Sequence, residues 1–515
     1  MALGFWNIGR DEPDRIAVVT PDDDRITFGG LLARNNQVVH GLRALGLEVG
    51  DTIATVLPNG LPMIELYLAC FDAGFYITPI NHHLVGPEIA YIVDDCEAKA
   101  VIVDERFTDE VLRAAEEFSV PAGARFAVGE VEGFRPYAEL TDGRPDTQPE
   151  DRTAGAAMHY TSGTTGRPKG VKRPLNGLDP DIAGELFTGF PQMFGITPGG
   201  DGVHITGSPL YHTAVLHFTG NSLHMGHKVV LMDKWDPERM LELIERERVT
   251  HSHMVPTQFH RLLALPDDIR DRYDLSSLAN MVHAAAPCPV DTKHKMFDWW
   301  GPVIYEYYAA TEGGGTTVTP EQWLAKPGTV GTAWSSSTVA VFDDDGNELG
   351  PGEIGTVYMR MDGQDFEYKD DPDKTEANRL KGYFTVGDIG ELDEDGFLFL
   401  RDRKSDMIIS GGVNIYPAEI EGALMQHAKV HDAAVFGIPN DDWGEEIKAV
   451  IEPVEGVDGD DALVDELLTH CADNLAKLKH PRSIDFVEEM PRDPNGKLYK
   501  RKLRDPYWEG ADRAI

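Results

Sequence analysis

The sequence of 515 residues has few cysteines and no apolar run long enough to cross a membrane. Its longest apolar stretches, such as residues 229–232, have strand length, so no integral membrane segment is predicted. The first ten residues contain no basic leader followed by an apolar run, which predicts a cytoplasmic protein. The four cysteines form no Cys-x-x-Cys pair, which favours free thiols and gives no pattern typical of a metal site: Cys70, Cys96, Cys288 and Cys471.

Basic residues are scarce, with 47 Lys and Arg against 87 Asp and Glu, so the formal net charge is −40. A field of that sign repels nucleic acid and anionic membranes, which excludes both as partners. It also repels nucleotides at long range, so a nucleotide site would need its own local positive charges. A solvated acidic surface is the ordinary explanation of this charge. Adaptation to a salty cytoplasm stays open as the alternative.

In place of long apolar runs, the sequence has a repeated alternation of strand and helix patterns. Residues 227–232 form an apolar run typical of a buried strand, Asp236 and Pro237 are typical of a helix start, and residues 249–255 form the next strand pattern. Similar alternation covers residues 51–103. Strand–helix–strand units predict parallel or mixed sheets covered by helices, so the predicted fold class is α/β.

The length of the chain and the patterns after residue 402 predict two domains. We predict a large N-terminal domain of mixed or parallel sheets over residues 1–402 and a smaller, mobile C-terminal α+β domain over residues 403–515. Pro417 begins one predicted helix of the small domain. The apolar stripe of its second predicted helix consists of Leu463, Leu467, Cys471, Leu475 and Leu478. A charged hinge over residues 402–405 joins the two domains.

The segment most informative about function is a run rich in glycine and hydroxyl residues, TSGTTGRPKG over residues 161–170. Glycine lets backbone N–H groups approach an oxyanion closely, hydroxyl groups add donors, and Lys169 adds a positive charge, so the run is typical of a phosphate-binding loop. It is not a Walker loop, because Gly166 is followed by Arg167, and a plain P-loop ATPase is therefore excluded. A flexible linker is the alternative, but a linker has little reason to end in Pro-Lys-Gly.

This loop resembles the signature loop of the adenylate-forming superfamily, which includes acyl- and aryl-CoA synthetases, luciferases and the adenylation domains of peptide synthetases. Five further segments follow in the family's order and spacing, so the resemblance covers nearly the whole chain. It implies ATP, Mg²⁺ and coenzyme A as cofactors and a small-molecule carboxylic acid as substrate, and it leaves a homodimer open. The residues that it implies for phosphate binding are Thr161 (also a metal ligand), Ser162, Gly163, Thr164, Thr165, Gly166 and Lys169.

Two segments resemble those that surround the acid and the adenine. His212, in the segment PLYH, corresponds to a residue beside the acyl pocket, where it acts as a gate or as a packed neighbour. Ala285 and Ala286 correspond to a strand end along the adenine, and a tight turn in a core is the alternative explanation of their small size.

The segment YYAATE resembles the family's Tyr-Gly-x-Thr-Glu motif, with Ala309 at the glycine position. The resemblance implies that Tyr308 stacks on adenine, that Thr311 contacts the α-phosphate and that Glu312 holds Mg²⁺. A hard cation prefers carboxylate oxygen, which agrees with the last assignment. The glycines at residues 313–315 leave room for a bulky tail and favour aryl, cyclic or medium-to-long aliphatic acids over acetate.

The last segments resemble the ribose site, the hinge and the C-terminal loop of acyl-CoA synthetases. Asp388 and Arg403 correspond to ribose contacts, and Ser405 stands where the family usually carries an aspartate or lysine hinge residue. Lys497, in the turn PNGK, corresponds to the lysine that bridges the incoming carboxylate and the α-phosphate. An exposed Asn-Gly turn is its alternative. The strand that lines the pantetheine tunnel corresponds to Ser410, Gly411 and Gly412.

The resemblance therefore predicts an acid–thiol ligase that forms an acyl-AMP and then an acyl-CoA. A luciferase-like oxygenase or a carrier-protein-loading adenylating enzyme stays open as the alternative. A peptide-synthetase domain normally grips the substrate amine with an aspartate, which the segment around His212 does not offer. A nucleotide sensor without catalytic activity would be expected to lose Glu312 or Lys497, and this chain keeps both.

Overall fold

The structure is a computed structural model, which describes residues 2–161, 168–310, 312–362, 366–369, 372–410, 413–440, 443–492 and 498–509. Among these residues, no helix combines the length and the apolar character needed to cross a bilayer.

A six-stranded, all-parallel sheet contains the alternation predicted over residues 51–103. Its strands, in spatial order, are Arg135–Pro136, Arg125–Val128, Ala98–Asp104, Thr52–Val56, Tyr76–Pro79 and Ala156–Ala157. The helices between and around them are Phe28–Ala44, Leu61–Ala73, Gly86–Asp95, Thr108–Ala115 and Ala138–Thr141.

A nine-stranded, mostly parallel sheet forms the centre of the large domain. The predicted unit is present as the strand Lys228–Leu231, the helix Pro237–Glu247 and the strand His251–Met254. The helix begins where expected, because the Asp236 carboxylate accepts a hydrogen bond from the Arg239 N–H at 2.8 Å. The nine strands, in spatial order, are Thr332–Ala333, Gly315–Val318, Ile304–Ala309, Asn280–His283, His251–Met254, Val203–Thr206, Lys228–Leu231, Ile16–Val19 and Arg25–Thr27.

The remaining helices of this part pack on the two sheets or connect their strands. They are Phe5–Asp11, Pro180–Phe187, Gly189–Gln192, Thr213–His224, Pro256–Leu263, Asp267–Arg270, Val290–Trp300, Pro320–Ala325 and Pro372–Ala377.

Two antiparallel sheets complete the large domain. The smaller one pairs Glu367–Tyr368, Lys169–Lys172 and His159–Thr161, so it holds both ends of the predicted phosphate loop. The larger one contains Arg379–Leu380, Tyr383–Phe384, Gly355–Met361, Ser337–Phe342, Asp388–Leu392 and Leu398–Arg403.

The C-terminal residues form a smaller domain with its own sheet and apolar core, which confirms the predicted fold class. Its second helix, Asp461–Asn474, is shorter than predicted. Leu463, Leu467 and Cys471 are buried in this helix. Leu475 already has an extended backbone and Leu478 is 49% exposed, so the prediction that these two residues continue the helical stripe was wrong. The strands are Val413–Ile415, Ile408–Ser410, Gly444–Pro453, Val430–Asn440 and Ser483–Phe486, and the other helices are Pro417–Leu424 and Lys500–Arg504.

Candidate active site

Several predicted site residues lie where neighbouring strands of the nine-stranded sheet end. The strand Asn280–His283 leads into Ala285 and Ala286, and the strand Ile304–Ala309, parallel to it, carries Tyr308 near its end. The carboxyl ends of parallel strands form the ligand crevice of open α/β sheets. Ala285 has a φ of 74°, in the left-handed region where a residue other than glycine is strained. Such strain is concentrated at functional sites, so this edge is the first candidate for ligand binding.

Tyr308, Asp388 and Arg403 form a continuous chain of polar contacts. The Tyr308 hydroxyl donates to the Asp388 carboxylate at 2.5 Å, and the second carboxylate oxygen lies 3.4 Å from Arg403 Nε. The last pair is placed by sheet register, because Asp388 and Arg403 are direct partners on adjacent antiparallel strands. Burial, and then the nearby Asp388, raise the pKa of Tyr308 well above its usual value, so the phenol is the donor. The Arg403 side chain is half exposed and can meet a ligand.

Glu312 is a buried carboxylate beside this chain of contacts, 8% exposed. One of its oxygens accepts a hydrogen bond from the Tyr368 hydroxyl at 2.6 Å. Burial lowers the pKa of Arg173, while attraction to Glu312 opposes that shift. Arg173 also lies close to Gly313, where an added Cβ would be 3.7 Å from a guanidinium nitrogen. A buried carboxylate next to a cation and a phenol is therefore available at the strand edge.

The space beside Gly315 is narrower than its small size suggested, whereas an added Cβ at Gly313 would make only ordinary contacts, the nearest at 3.6 Å. An added Cβ at Gly315 would lie 2.2 Å from the Tyr308 carbonyl oxygen and 2.8 Å from the Trp334 ring. The Trp334 indole therefore fills the room at Gly315 that we expected for a bulky substrate tail.

His212 lies at the start of the helix Thr213–His224, half-buried, with its ring 4.2 Å from that of Tyr211, centroid to centroid. Burial lowers the pKa of the neighbouring His159 well below its usual value, and His217 and His212 lower it further. The rings of His159 and His217 lie 5.9 Å apart, centroid to centroid. His212 thus belongs to a histidine-rich region beside the phosphate loop, and its role as a gate stays a prediction.

A buried ion pair joins the helix Val290–Trp300 to the strand Ile304–Ala309. Lys293 Nζ lies 2.5 Å from a Glu306 carboxylate oxygen, and the His283 ring lies 3.4 Å from the same oxygen. Burial alone would raise the pKa of Glu306, but Lys293 and His283 lower it to about 2. Lys293 is fully buried and lies 4.7 Å above the Trp323 ring. The pair fixes the strand Ile304–Ala309, whose last residues form the site.

A second buried cluster joins the hinge to the C-terminal helix. The Asp402 carboxylate accepts a hydrogen bond from the Ala418 N–H at 2.8 Å, and Lys500 Nζ lies 2.8 Å from a Glu421 oxygen. Burial raises the pKa of both carboxyl groups, and attraction to Lys500 partly offsets this. Asp402 belongs to the strand Leu398–Arg403 of the large domain, whereas its partners belong to the small domain. The cluster therefore connects the two domains.

Ser405 is exposed in the turn that follows this strand, and its neighbour Lys404 pairs with Asp344 at 2.7 Å. Ser410 ends the strand Ile408–Ser410 and pairs with Val413 and Gly444. Lys169, half-buried, begins its strand opposite Thr161, whose side chain is not described. The predicted residues outside the described parts of the chain are Ser162, Gly163, Thr164, Thr165, Gly166, Thr311, Gly411, Gly412 and Lys497.

Arg173, Tyr368 and Lys500 were not predicted from the sequence. Lys500 gave no sequence signal, because its partner Glu421 is remote in sequence. Arg173 and Tyr368 also gave no signal in the sequence, because their partner Glu312 is remote from both.

Comparison with known proteins agrees with this architecture. The model of the AMP-binding enzyme family matches residues 5–364, and that of the AMP-binding enzyme C-terminal domain matches residues 419–497. A feruloyl-CoA synthase of Amycolatopsis sp is 32% identical, with 98% of each chain covered. A long-chain-fatty-acid–CoA ligase, FadD13, of Mycobacterium tuberculosis is 31% identical, with 95% of each chain covered. The crystal structure of ATP-bound MatB from Rhodopseudomonas palustris is 30% identical and gives a TM-score of 0.82, covering 98% of this chain and 99% of that chain.

This combination of fold and strand-edge site defines an adenylate-forming enzyme. The chain belongs to the AMP-binding enzyme family. The two relatives described above are named as CoA ligases of an aryl and a fatty acid, so the predicted enzyme class, an AMP-forming acid–thiol ligase, is confirmed.

Proposed function

We propose that the chain uses ATP to convert a bulky aryl, cyclic or medium-to-long aliphatic acid into its acyl-CoA. The observation that carries the proposal is the contact chain Tyr308–Asp388–Arg403 beside the buried Glu312 at the strand edge. These groups supply an aromatic face, a ribose-binding carboxylate and a cation within one crevice. The feruloyl-CoA synthase among the relatives supports an aryl acid, and the long-chain-fatty-acid–CoA ligase supports an aliphatic acid.

In the first half-reaction, the substrate carboxylate attacks the α-phosphate of ATP and pyrophosphate leaves. No protein nucleophile is needed, so the chain contributes positioning and charge neutralisation. We assign the β- and γ-phosphates to residues 161–169, the ribose to Asp388 and Arg403, and the adenine to Tyr308 and Ala285–Ala286. Lys497 bridges the two anions that react.

Glu312 fits a magnesium site. Among the described residues, no group of three or more His, Cys, Asp or Glu side chains is arranged to hold a metal. Mg²⁺ is commonly bound by one or two carboxylates together with substrate phosphates, so a single buried glutamate is sufficient on the protein side. We assign Glu312, with Thr161, to this ion, which supplies charge neutralisation at the phosphates. The contact with Tyr368 holds the Glu312 carboxylate in place.

In the second half-reaction, the coenzyme A thiolate attacks the acyl carbonyl, the bond to AMP breaks, and AMP leaves. We place the domain boundary after residue 402 and the pivot at residues 403–405. Rotation of the small domain there withdraws Lys497 and presents the strand that ends at Ser410, followed by Gly411 and Gly412. One domain cannot offer both faces at once, which is the physical reason for a hinge.

The test is release of pyrophosphate from ATP with a panel of carboxylic acids, with and without coenzyme A. Glu312→Gln should lower the rate and weaken its dependence on magnesium, while the exposed Glu321→Gln serves as a matched control with wild-type kinetics. Acyl-CoA should appear only when coenzyme A is added. Full magnesium-dependent activity in Glu312→Gln would remove that residue from the site, and light emission or transfer to a carrier protein in place of acyl-CoA would contradict the proposed product.

A further inference from the structure

The helix Pro256–Leu263 of the large domain starts beside the candidate site. It directly follows the strand His251–Met254, whose parallel neighbour is the strand Asn280–His283. The carboxyl ends of these strands form the edge at which the site residues lie. The start of this helix is therefore part of the same edge.

One residue of this helix, His260, contacts the small domain. Its ring is half-buried and lies 5.3 Å from that of His431, centroid to centroid, with the two ring planes at 63°. His431 is the second residue of the strand Val430–Asn440. An edge-to-face arrangement of this kind is a favourable geometry for aromatic rings. The ring pair joins the two domains outside the hinge at residues 403–405.

The contact depends on ring packing and not on charge. Burial and then the neighbouring His431 lower the pKa of His260, with smaller contributions from Arg492 and Arg261 and an opposing attraction to Asp432. The His260 ring is therefore uncharged at neutral pH. An uncharged ring that packs edge to face can be replaced by the ring of a phenylalanine.

On the small-domain side, residues next to this contact hold both flanks of the segment that carries Lys497. Asp432, which follows His431, accepts hydrogen bonds from Nε and Nη2 of Arg492, the latter at 2.8 Å. Arg492 in turn forms an antiparallel bridge with Leu498. Lys497 precedes Leu498 in the chain, so the position of this bridge limits the positions that Lys497 can reach. The ring pair therefore sets where the large domain meets the base of that segment.

Rotation of the small domain would affect the contacts across the domain boundary differently. Asp402 directly precedes the proposed pivot, so its hydrogen bond from the Ala418 N–H can persist in both orientations. The pair of His260 and His431 is not at the pivot, so it separates when the small domain rotates. The ring pair thus stabilises one orientation and not the other, which is the condition for shifting the balance between them.

We propose that His260 is a positioning residue for the first half-reaction. By packing on His431 it holds the small domain in the orientation that brings Lys497 to the substrate carboxylate, and the ring pair separates before coenzyme A reacts. The inference rests on the proposed function for the role of Lys497 and for the rotation. His260 acts through Lys497 and not on the reacting atoms, so its loss changes the population of one orientation.

The experiment measures the two half-reactions separately, with octanoate and with phenylpropanoate. One assay follows pyrophosphate release from acid and ATP, and the other follows thioester formation from the supplied acyl-AMP and coenzyme A. His260→Ala should lower kcat for pyrophosphate release about three- to tenfold, with little change in the KM of ATP, because the proposed nucleotide site lies in the large domain. Thioester formation should keep its wild-type rate. His260→Phe retains a ring and should restore most of kcat.

His427→Ala is the matched control. The rings of His427 and His470 lie 5.1 Å apart with their planes at 72°, but both residues belong to the small domain. Loss of that pair should leave the ratio of the two half-reaction rates at its wild-type value.

An equal loss in both half-reactions of His260→Ala overturns the inference, and so does a wild-type rate in both. Failure of the proposed function has a different signature, in which the wild type releases no pyrophosphate with any acid. Hydrogen exchange then decides about the contact separately. The Tyr499 N–H donates to the Pro491 carbonyl at 2.8 Å and should exchange faster in His260→Ala than in the wild type or in His427→Ala. Exchange at the wild-type rate in His260→Ala would overturn the contact.

Discussion

Buried histidines should make the folded chain sensitive to mild acid. Three of them, His204, His227 and His251, lie together in the nine-stranded sheet region, with the ring of His251 5.0 Å from each of the other two. Burial lowers the pKa of His204 to about 3, that of His227 to about 4 and that of His251 well below its usual value. The folded chain therefore keeps all three rings neutral at pH values where an unfolded chain binds protons.

The sign and size of the effect follow from proton linkage. An unfolded histidine has a pKa of about 6.5, so the stability that these rings provide is complete above that pH and is lost as the pH falls toward the folded values of about 3 to 4. Compared with pH 7.5, a pH of 5.5 lowers the free energy of unfolding by about 1.4 kcal/mol per histidine, or about 4 kcal/mol for the three. That is a large part of the 5 to 15 kcal/mol, roughly, that stabilises a typical folded protein.

Urea unfolding of the wild type and of His204→Phe at pH 7.5 and pH 5.5 measures this term. The wild type should lose several kcal/mol between the two pH values, and the variant should lose about 1.4 kcal/mol less. The buried Met254→Leu on a neighbouring strand is the control, because it changes no titrating group and should keep the full pH dependence. Ring-carbon NMR of labelled histidines should show that the His204 signal does not move over this range. An equal loss in wild type and His204→Phe, or a titrating His204 signal in the folded protein, would refute the reasoning.

Three further outcomes are expected. Lys497→Ala should slow pyrophosphate release from acid and ATP by about 10² to 10³, because two anions must then meet without a cation between them, yet it should still convert supplied acyl-AMP and coenzyme A; equal loss in both assays would contradict its assignment. Lys500→Met leaves the Glu421 carboxylate buried without its cation and should lower the stability of the small domain by about 3 kcal/mol in urea unfolding, with Lys500→Arg restoring most of it; wild-type stability in Lys500→Met would mean that the pair contributes nothing. Tyr308→Phe should change the Kd of ATP far less than Tyr308→Ala in calorimetry, since stacking depends on the ring; similar losses would assign the effect to the hydroxyl.

The strand–helix–strand unit before residue 255 could be predicted because its signals are local. An apolar run, an Asp-Pro helix start and an apolar stripe of period 3.6 are all read within the segment itself. The end of the helix Asp461–Asn474 could not, because Leu475 and Leu478 continue the same period in sequence. The chain leaves the helix at Leu475, so the periodic pattern predicted a helix one turn too long.

The candidate site was predicted where it lies on motifs and missed where it depends on long-range contacts. Tyr308, Asp388 and Arg403 were named from the sequence, and their roles stay predictions. Lys293 has a helical neighbourhood in which a lysine is expected to be solvated, since lysine is almost never buried without a partner. Its partner Glu306 lies on the following strand, and only the packing of that helix on the sheet brings the two charges together.

If Asp388 binds the ribose as proposed, nucleotide binding is an exchange of hydrogen-bond donors, because Tyr308 already donates to that carboxylate. On the proposed assignment, a ribose hydroxyl replaces the Tyr308 phenol at the carboxylate, so the number of hydrogen-bond donors to Asp388 does not change. An exchange of this kind contributes little net affinity, which must then come from stacking and from the phosphates. A 2′-deoxyribose keeps its 3′-hydroxyl and can still return one donor to Asp388, so on this assignment the exchange by itself does not select ribonucleotides.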